Sequence, residues 1–105
     1  MSVSVNREEG PDGDIDYVIP VSTEDFYWAN WYPASKELGV KIFYDGSRFT
    51  KEQVPEVLRE LELLKGWAKA NLTGYDLEYM VGRTESLQQK IPDAFTNDDT
   101  ILYIF

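Results

Sequence analysis

The C-terminal segment Ile101-Leu102-Tyr103-Ile104-Phe105 is apolar at every position and carries the clearest fold signal in the sequence. Successive side chains of a strand point to opposite faces of the sheet, so a uniformly apolar run needs cover on both faces. Such a run is typical of an interior strand that is hydrogen-bonded to a neighbour along each edge. We therefore expect residues 101–105 to form an interior strand of a sheet.

Three other stretches predict strands. Residues 2–5 and 14–19 alternate polar and apolar side chains, which is the period of a strand with one buried face. The segment between them contains the turn sequence of residues 10–13, Gly-Pro-Asp-Gly, so the two strands are expected to form a hairpin. A further strand is expected over residues 40–44, closed by Asp45-Gly46.

Helical spacing of apolar residues predicts three helices, over about residues 23–39, 50–73 and 73–91. The first should bend or restart at Pro33, which has no backbone N–H and whose ring clashes with the preceding turn. It should end at Gly39 in a left-handed conformation. Together these segments predict one α+β domain spanning residues 1–105, with a three- or four-stranded sheet packed with about three helices and the C-terminal strand inside the sheet.

The composition excludes several classes of chemistry. The 105 residues include no Cys and no His, which removes disulfides, thiol nucleophiles, Ser-His triads and nearly every zinc, haem or iron–sulfur site. The stretch Asp12–Asp16 resembles the first half of a calcium loop, but Tyr17 and Thr23 stand where the loop needs Gly and Glu. We therefore expect no catalytic residues, no metal and no cofactor.

The acidic residues are concentrated in the two terminal segments. The net charge is −9, and the central residues 26–91 carry nine acids and nine bases, so the whole surplus lies outside them. A strongly negative surface repels nucleic acid phosphates and anionic membranes, and it speeds the approach of basic proteins. The residues expected to bind a basic protein are Asp12, Asp14, Asp16, Asp98 and Asp99. The simpler alternative is that the acids only keep the protein soluble, or reflect a halophilic origin.

The most unusual feature of the sequence is the aromatic cluster of residues 26–32, Phe-Tyr-Trp-Ala-Asn-Trp-Tyr. At about 100° per helical residue its five rings spread over about 240° of the helix circumference, whereas a helix usually buries a stripe somewhat wider than 100°. One or two rings should therefore stay partly exposed, and we predict that Trp28 or Trp31 anchors the basic partner on the same face as the acidic residues. The alternative is that all five rings are core.

No stretch of the sequence reads as a membrane span or a secretory signal. The longest run without a charged residue, Phe26–Ser35, has ten residues, against the roughly 20 that a spanning helix needs. The first 25 residues hold seven acids and one base, unlike the basic start of a signal peptide. The expected location is the cytoplasm.

In size, acidity, absence of His and Cys, and α+β pattern, the chain resembles small bacterial immunity proteins that neutralise toxin nucleases. The resemblance lies in overall character and carries no functional residue over. It implies a non-catalytic protein-binding module, an acidic inhibitor of a basic partner, with no nucleic acid or membrane ligand. Two alternatives stay open: a carboxylate- or divalent-metal-dependent enzyme, and a subunit or adaptor of a larger assembly.

Overall fold

The apolar C-terminal stretch forms an interior strand. In the computed structural model, which describes residues 1–8 and 13–105, strand β4 (Ile101–Ile104) pairs antiparallel with β1 (Ser2–Glu8) on one edge and with β3 (Arg48–Thr50) on the other. With β2 (Ile15–Thr23), they make a four-stranded sheet in the order β2-β1-β4-β3. The predicted α+β fold and the interior position of β4 are confirmed.

The two faces of β4 are covered to different extents. Leu102 and Ile104 are buried in the core, whereas Ile101 and Tyr103 are half-buried. Tyr103 lies opposite Asn6 of β1 and Arg48 of β3 in the sheet register. The second face of β4 is therefore covered only in part, and pairing on both edges makes the strand interior.

The first two strands form the expected hairpin and are longer than the sequence pattern indicated. β1 reaches Glu8, and β2 runs through Pro20 to Thr23. Pro20 is tolerated because β2 lies at the edge of the sheet, where a missing N–H breaks no interior ladder. The predicted turn at residues 10–13 falls mostly outside the described residues, which resume at Gly13.

The strand predicted over residues 40–44 is not formed, and the edge strand is β3 instead. The backbone N–H groups of Lys41, Ile42 and Phe43 donate to the carboxylate of Glu60. Because these donors are taken by a side chain, they are not available for a strand ladder, and residues 40–47 form an ordered loop.

The first helical segment is continuous but changes its winding. It consists of α1 (Glu24–Phe26), a π-helical turn (Tyr27–Trp31) and α2 (Tyr32–Leu38). Pro33 lies in the first turn of α2, and the widened turn before it accommodates the missing proline donor. The helix therefore changes its winding before Pro33 and does not break there. Gly39 caps α2 at φ 71°, as predicted.

Two long helices complete the domain and cover one face of the sheet. They are α3 (Val54–Asn71), preceded by a 3₁₀ turn over Lys51–Gln53, and α4 (Gly74–Lys90). Their apolar stripes meet the inner faces of the strands in one core. Within the part of the chain that the structure describes, no helix is long and apolar enough to cross a membrane.

Candidate functional site

The strand pairing brings acidic residues from the two termini to one end of the sheet. Arg7 of β1 lies opposite Tyr17 of β2 on one side and Leu102 of β4 on the other, so these two residues are two strand spacings apart, about 10 Å. The acids before β2 and before β4 therefore flank the same end, here called the acidic end. Its members among the predicted site residues are Asp14, Asp16, Asp98 and Asp99; the fifth, Asp12, lies outside the described residues.

These acids differ in how firmly they are held. The Asp16 carboxylate accepts a hydrogen bond from Arg7 Nε at 2.9 Å, and the same guanidinium donates to the Ala94 carbonyl at 2.8 Å. Through Arg7, Asp16 therefore helps to hold the hairpin against the segment before β4. Asp98 lies 3.5 Å from Lys51 with both side chains well exposed, a geometry that contributes little to stability. Asp14 and Asp99 are exposed, so they and Asp98 are the accessible charges.

The π-helical turn decides which aromatic residues face the core. The Tyr32 N–H bonds to the Tyr27 carbonyl five residues back. Tyr27 and Trp31 are 2% and 1% exposed, whereas Trp28 and Tyr32 are 48% and 41% exposed. The expectation that one or two rings stay exposed is confirmed. Trp31 is a core residue whose ring packs against Phe43, which leaves Trp28 as the tryptophan of this pair that a partner can reach.

The structure does not place Trp28 beside the acidic end. β2 starts at Ile15 near the acids and ends at Thr23, immediately before the helical segment that carries Trp28. Eight residue steps at about 3.3 Å separate those ends by roughly 26 Å. The two halves of the predicted binding face are therefore two separate surfaces, one acidic and one aromatic.

The aromatic surface is a cleft between the first helical segment and the loop of residues 40–47. Trp28 and Tyr32 form one wall, with ring centroids 5.0 Å apart, and Tyr44 stands on the loop side, 43% exposed. The space between the walls is about 190 Å³. The lining, here called the aromatic cleft, is Tyr27, Trp28, Tyr32, Ser35, Lys36, Val40, Tyr44 and Asp45.

The loop wall of the cleft is fixed by the side chain of Glu60, which is 1% exposed. Its Oε2 accepts the Lys41 N–H at 2.8 Å, and its Oε1 accepts the N–H groups of Ile42 and Phe43 at 3.2 and 2.8 Å. A buried carboxylate that accepts several backbone N–H bonds is tolerated because its acceptor sites are filled. Glu60 therefore positions the loop.

Every backbone N–H from residue 40 to 47 has a partner. Besides the three on Glu60, the Asp45 N–H donates to the Tyr27 hydroxyl at 2.7 Å and the Gly46 N–H to the Ile104 carbonyl at 2.7 Å. The remaining three, those of Val40, Tyr44 and Ser47, donate to carbonyl groups. Burial raises the pKa of the Tyr27 phenol above its usual value of 10.0, so the hydroxyl stays protonated at neutral pH. A loop with its hydrogen bonds complete is pre-organised for binding.

Sequence reasoning missed Glu60, Tyr44 and Asp45. A signal for Glu60 was present, because it lies three residues after Val57 and four before Leu64, on the apolar stripe of α3. A carboxylate at that place in a helix has to find donors. Nothing local in the sequence marks Tyr44 and Asp45, since they gain their neighbours only when the loop folds back on the first helical segment.

Acidic residues do not assemble into a metal site in the described part of the chain. No group of three or more carboxylates among residues 1–8 and 13–105 is arranged to hold a metal ion. The acids of the acidic end are spread over loops and strand ends, where each faces solvent or a basic side chain.

Comparison of the chain with protein-family models, with curated proteins and with solved structures found no match.

Proposed function

We propose that this chain is a non-catalytic binding protein for a basic protein partner, an acidic inhibitor of the immunity-protein kind, with a toxin nuclease as the expected class of partner. The observation that supports this best is the convergence of acids from opposite ends of the sequence on one end of the sheet. Asp14 and Asp99 are 85 positions apart in the chain and lie just before β2 and β4, two strands that are separated in the sheet only by β1.

The acidic end is suited to steering an encounter. Its accessible charges, Asp14, Asp98 and Asp99, lie on loops next to strand ends, where they can approach a concave basic surface. Fixed charges of one sign raise the association rate of an oppositely charged partner and repel nucleic acid that would compete for it. An inhibitor of a nucleic-acid-binding enzyme needs both effects.

The experiment that tests this function compares two forms of the chain as immobilised baits in extract of the source organism. One form is the parent, and the other is the triple variant Asp14→Asn, Asp98→Asn, Asp99→Asn. These substitutions keep side-chain size and leave the Asp16–Arg7 tie intact. We expect the parent to retain a basic protein at about 50 mM salt that the variant retains much less, and we expect the purified protein to lose nuclease activity when the parent is added.

Two results would contradict the proposal. The first is equal retention of the same proteins by parent and variant. The second is a retained partner that is neutral or acidic. A matching thermal transition for the two baits is the control that the substitutions act on binding and not on folding.

A further inference from the structure

The aromatic cleft has the chemistry of a receptor for one positively charged side chain. Three partly exposed rings, those of Trp28, Tyr32 and Tyr44, border it. The faces of aromatic rings carry negative potential and attract cations. Asp45 lines the same space, and among the described residues no donor bonds to its carboxylate. We propose that the aromatic cleft binds an arginine side chain of the basic partner.

Lys36 shows that the rings already attract a cation. Its Nζ lies 5.3 Å from the centre of the Tyr32 ring, within the distance at which a cation is attracted by an aromatic face. An incoming guanidinium group has to share this ring with Lys36 or displace it. Lys36 is therefore an internal competitor, and its removal should strengthen binding of a cation and weaken binding of an anion.

Arginine fits the walls better than lysine does. A guanidinium group is planar and weakly hydrated, and it stacks on aromatic faces while its N–H groups bond to a carboxylate. The cleft offers tilted rings on one wall and Asp45 on the other. Because Glu60 and the Tyr27 hydroxyl hold the loop wall in place, little ordering is needed when the side chain enters.

The inference rests on the proposed function for the source of the arginine, but the cleft can be tested without the partner. The probes are N-acetyl-arginine amide and N-acetyl-citrulline amide, which have nearly the same shape and differ in charge. Binding is followed by the NMR shifts of the backbone amides of residues 40–47. We expect saturable binding of the arginine probe in the millimolar range and at least fivefold weaker binding of the citrulline probe.

Three variants test where the arginine probe binds and whether the positive charge of Lys36 competes with it. Trp28→Ala should lower the affinity for the arginine probe at least fivefold. Tyr75→Ala removes a tyrosine that is 78% exposed outside the cleft, and it should leave this affinity unchanged. Lys36→Met keeps the aliphatic part of the side chain and removes the charge, and it should raise the affinity for the arginine probe about two- to fivefold.

Several outcomes would overturn the assignment: equal affinity for the two probes, no saturable shift of the loop amides, no effect of Trp28→Ala, or weaker binding to Lys36→Met. The variant Asp14→Asn separates this inference from the proposed function. It should slow association of a basic partner and leave the affinity for the arginine probe unchanged, because Asp14 lies at the acidic end.

Discussion

Replacing Glu60 with Gln is expected to lower the free energy of unfolding by about 2 kcal/mol. The amide keeps an acceptor for the N–H groups of Ile42 and Phe43 but turns an NH₂ group toward the N–H of Lys41, which now bonds to Oε2 at 2.8 Å. One partly buried donor loses its acceptor, at a cost of about 1 kcal/mol. The other two bonds change from charge-assisted to neutral, which costs about 1 kcal/mol each. Relief of the buried charge offsets part of this sum.

Urea unfolding followed by circular dichroism measures the effect. Small domains are usually stable by about 5–15 kcal/mol, so a loss of about 2 kcal/mol is a large share. With a slope of about 2 kcal/mol/M, the midpoint should fall by about 1 M urea. The matched control is Glu62→Gln on the exposed side of the same helix. Its amide oxygen can still accept from Gln88 and Lys65, and an exposed ion pair contributes little to stability, so its midpoint should fall by less than about 0.5 M urea. If Glu60→Gln and Glu62→Gln unfold together, Glu60 does not hold the loop and this reasoning fails.

Two further predictions concern stability. Gly66 and Gly82 are exposed inside helices, and an added Cβ would meet nothing within 4 Å at either position, so each Gly→Ala substitution should raise the free energy of unfolding by about 0.5–1 kcal/mol. In the same urea assay Gly39→Ala, at φ 71°, should be destabilising; a loss of stability in the two helical variants would contradict the account. Because burial raises the pKa of Tyr27, its neutral form contributes stability that is complete below about pH 10 and is lost as the pH rises further. Melting temperatures between pH 9 and 11 should therefore fall less steeply for Tyr27→Phe than for the exposed-site control Tyr75→Phe. Equal slopes of melting temperature against pH for the two variants would contradict this role of Tyr27.

The parts of the fold that follow local rules could be predicted from the sequence. The apolar run over β4 predicted an interior position, and Gly39 marked where the first helical segment ends. The strand expected at residues 40–44 was wrong because a local pattern does not reveal that Glu60, far along the chain, takes its backbone donors. Pattern reasoning assigns backbone hydrogen bonds to the nearest regular structure, and a buried side chain can override it.

The candidate site, like the fold, could be predicted only in part from the sequence. The charge count showed that the surplus acids lie in the two terminal segments. The structure brings these segments together, because β2 and β4 both pair antiparallel with β1 and therefore start at the same end of the sheet. The spread of rings around a helix predicted that some aromatic side chains stay exposed, but it could not choose Trp28 over Trp31. That choice depends on the π-helical turn, and the aromatic cleft needs the loop with Tyr44 as well.

Stopped-flow association of the purified partner at several salt concentrations shows whether a basic partner binds through the acidic end. The parent should associate at least tenfold faster at 20 mM than at 500 mM salt, because exposed charges are screened beyond about 4 Å at the higher concentration. The variant with Asp14, Asp98 and Asp99 changed to Asn should associate more slowly at low salt, with a flatter salt dependence and a nearly unchanged dissociation rate. Association rates that are the same for parent and variant at every salt concentration would contradict the claim.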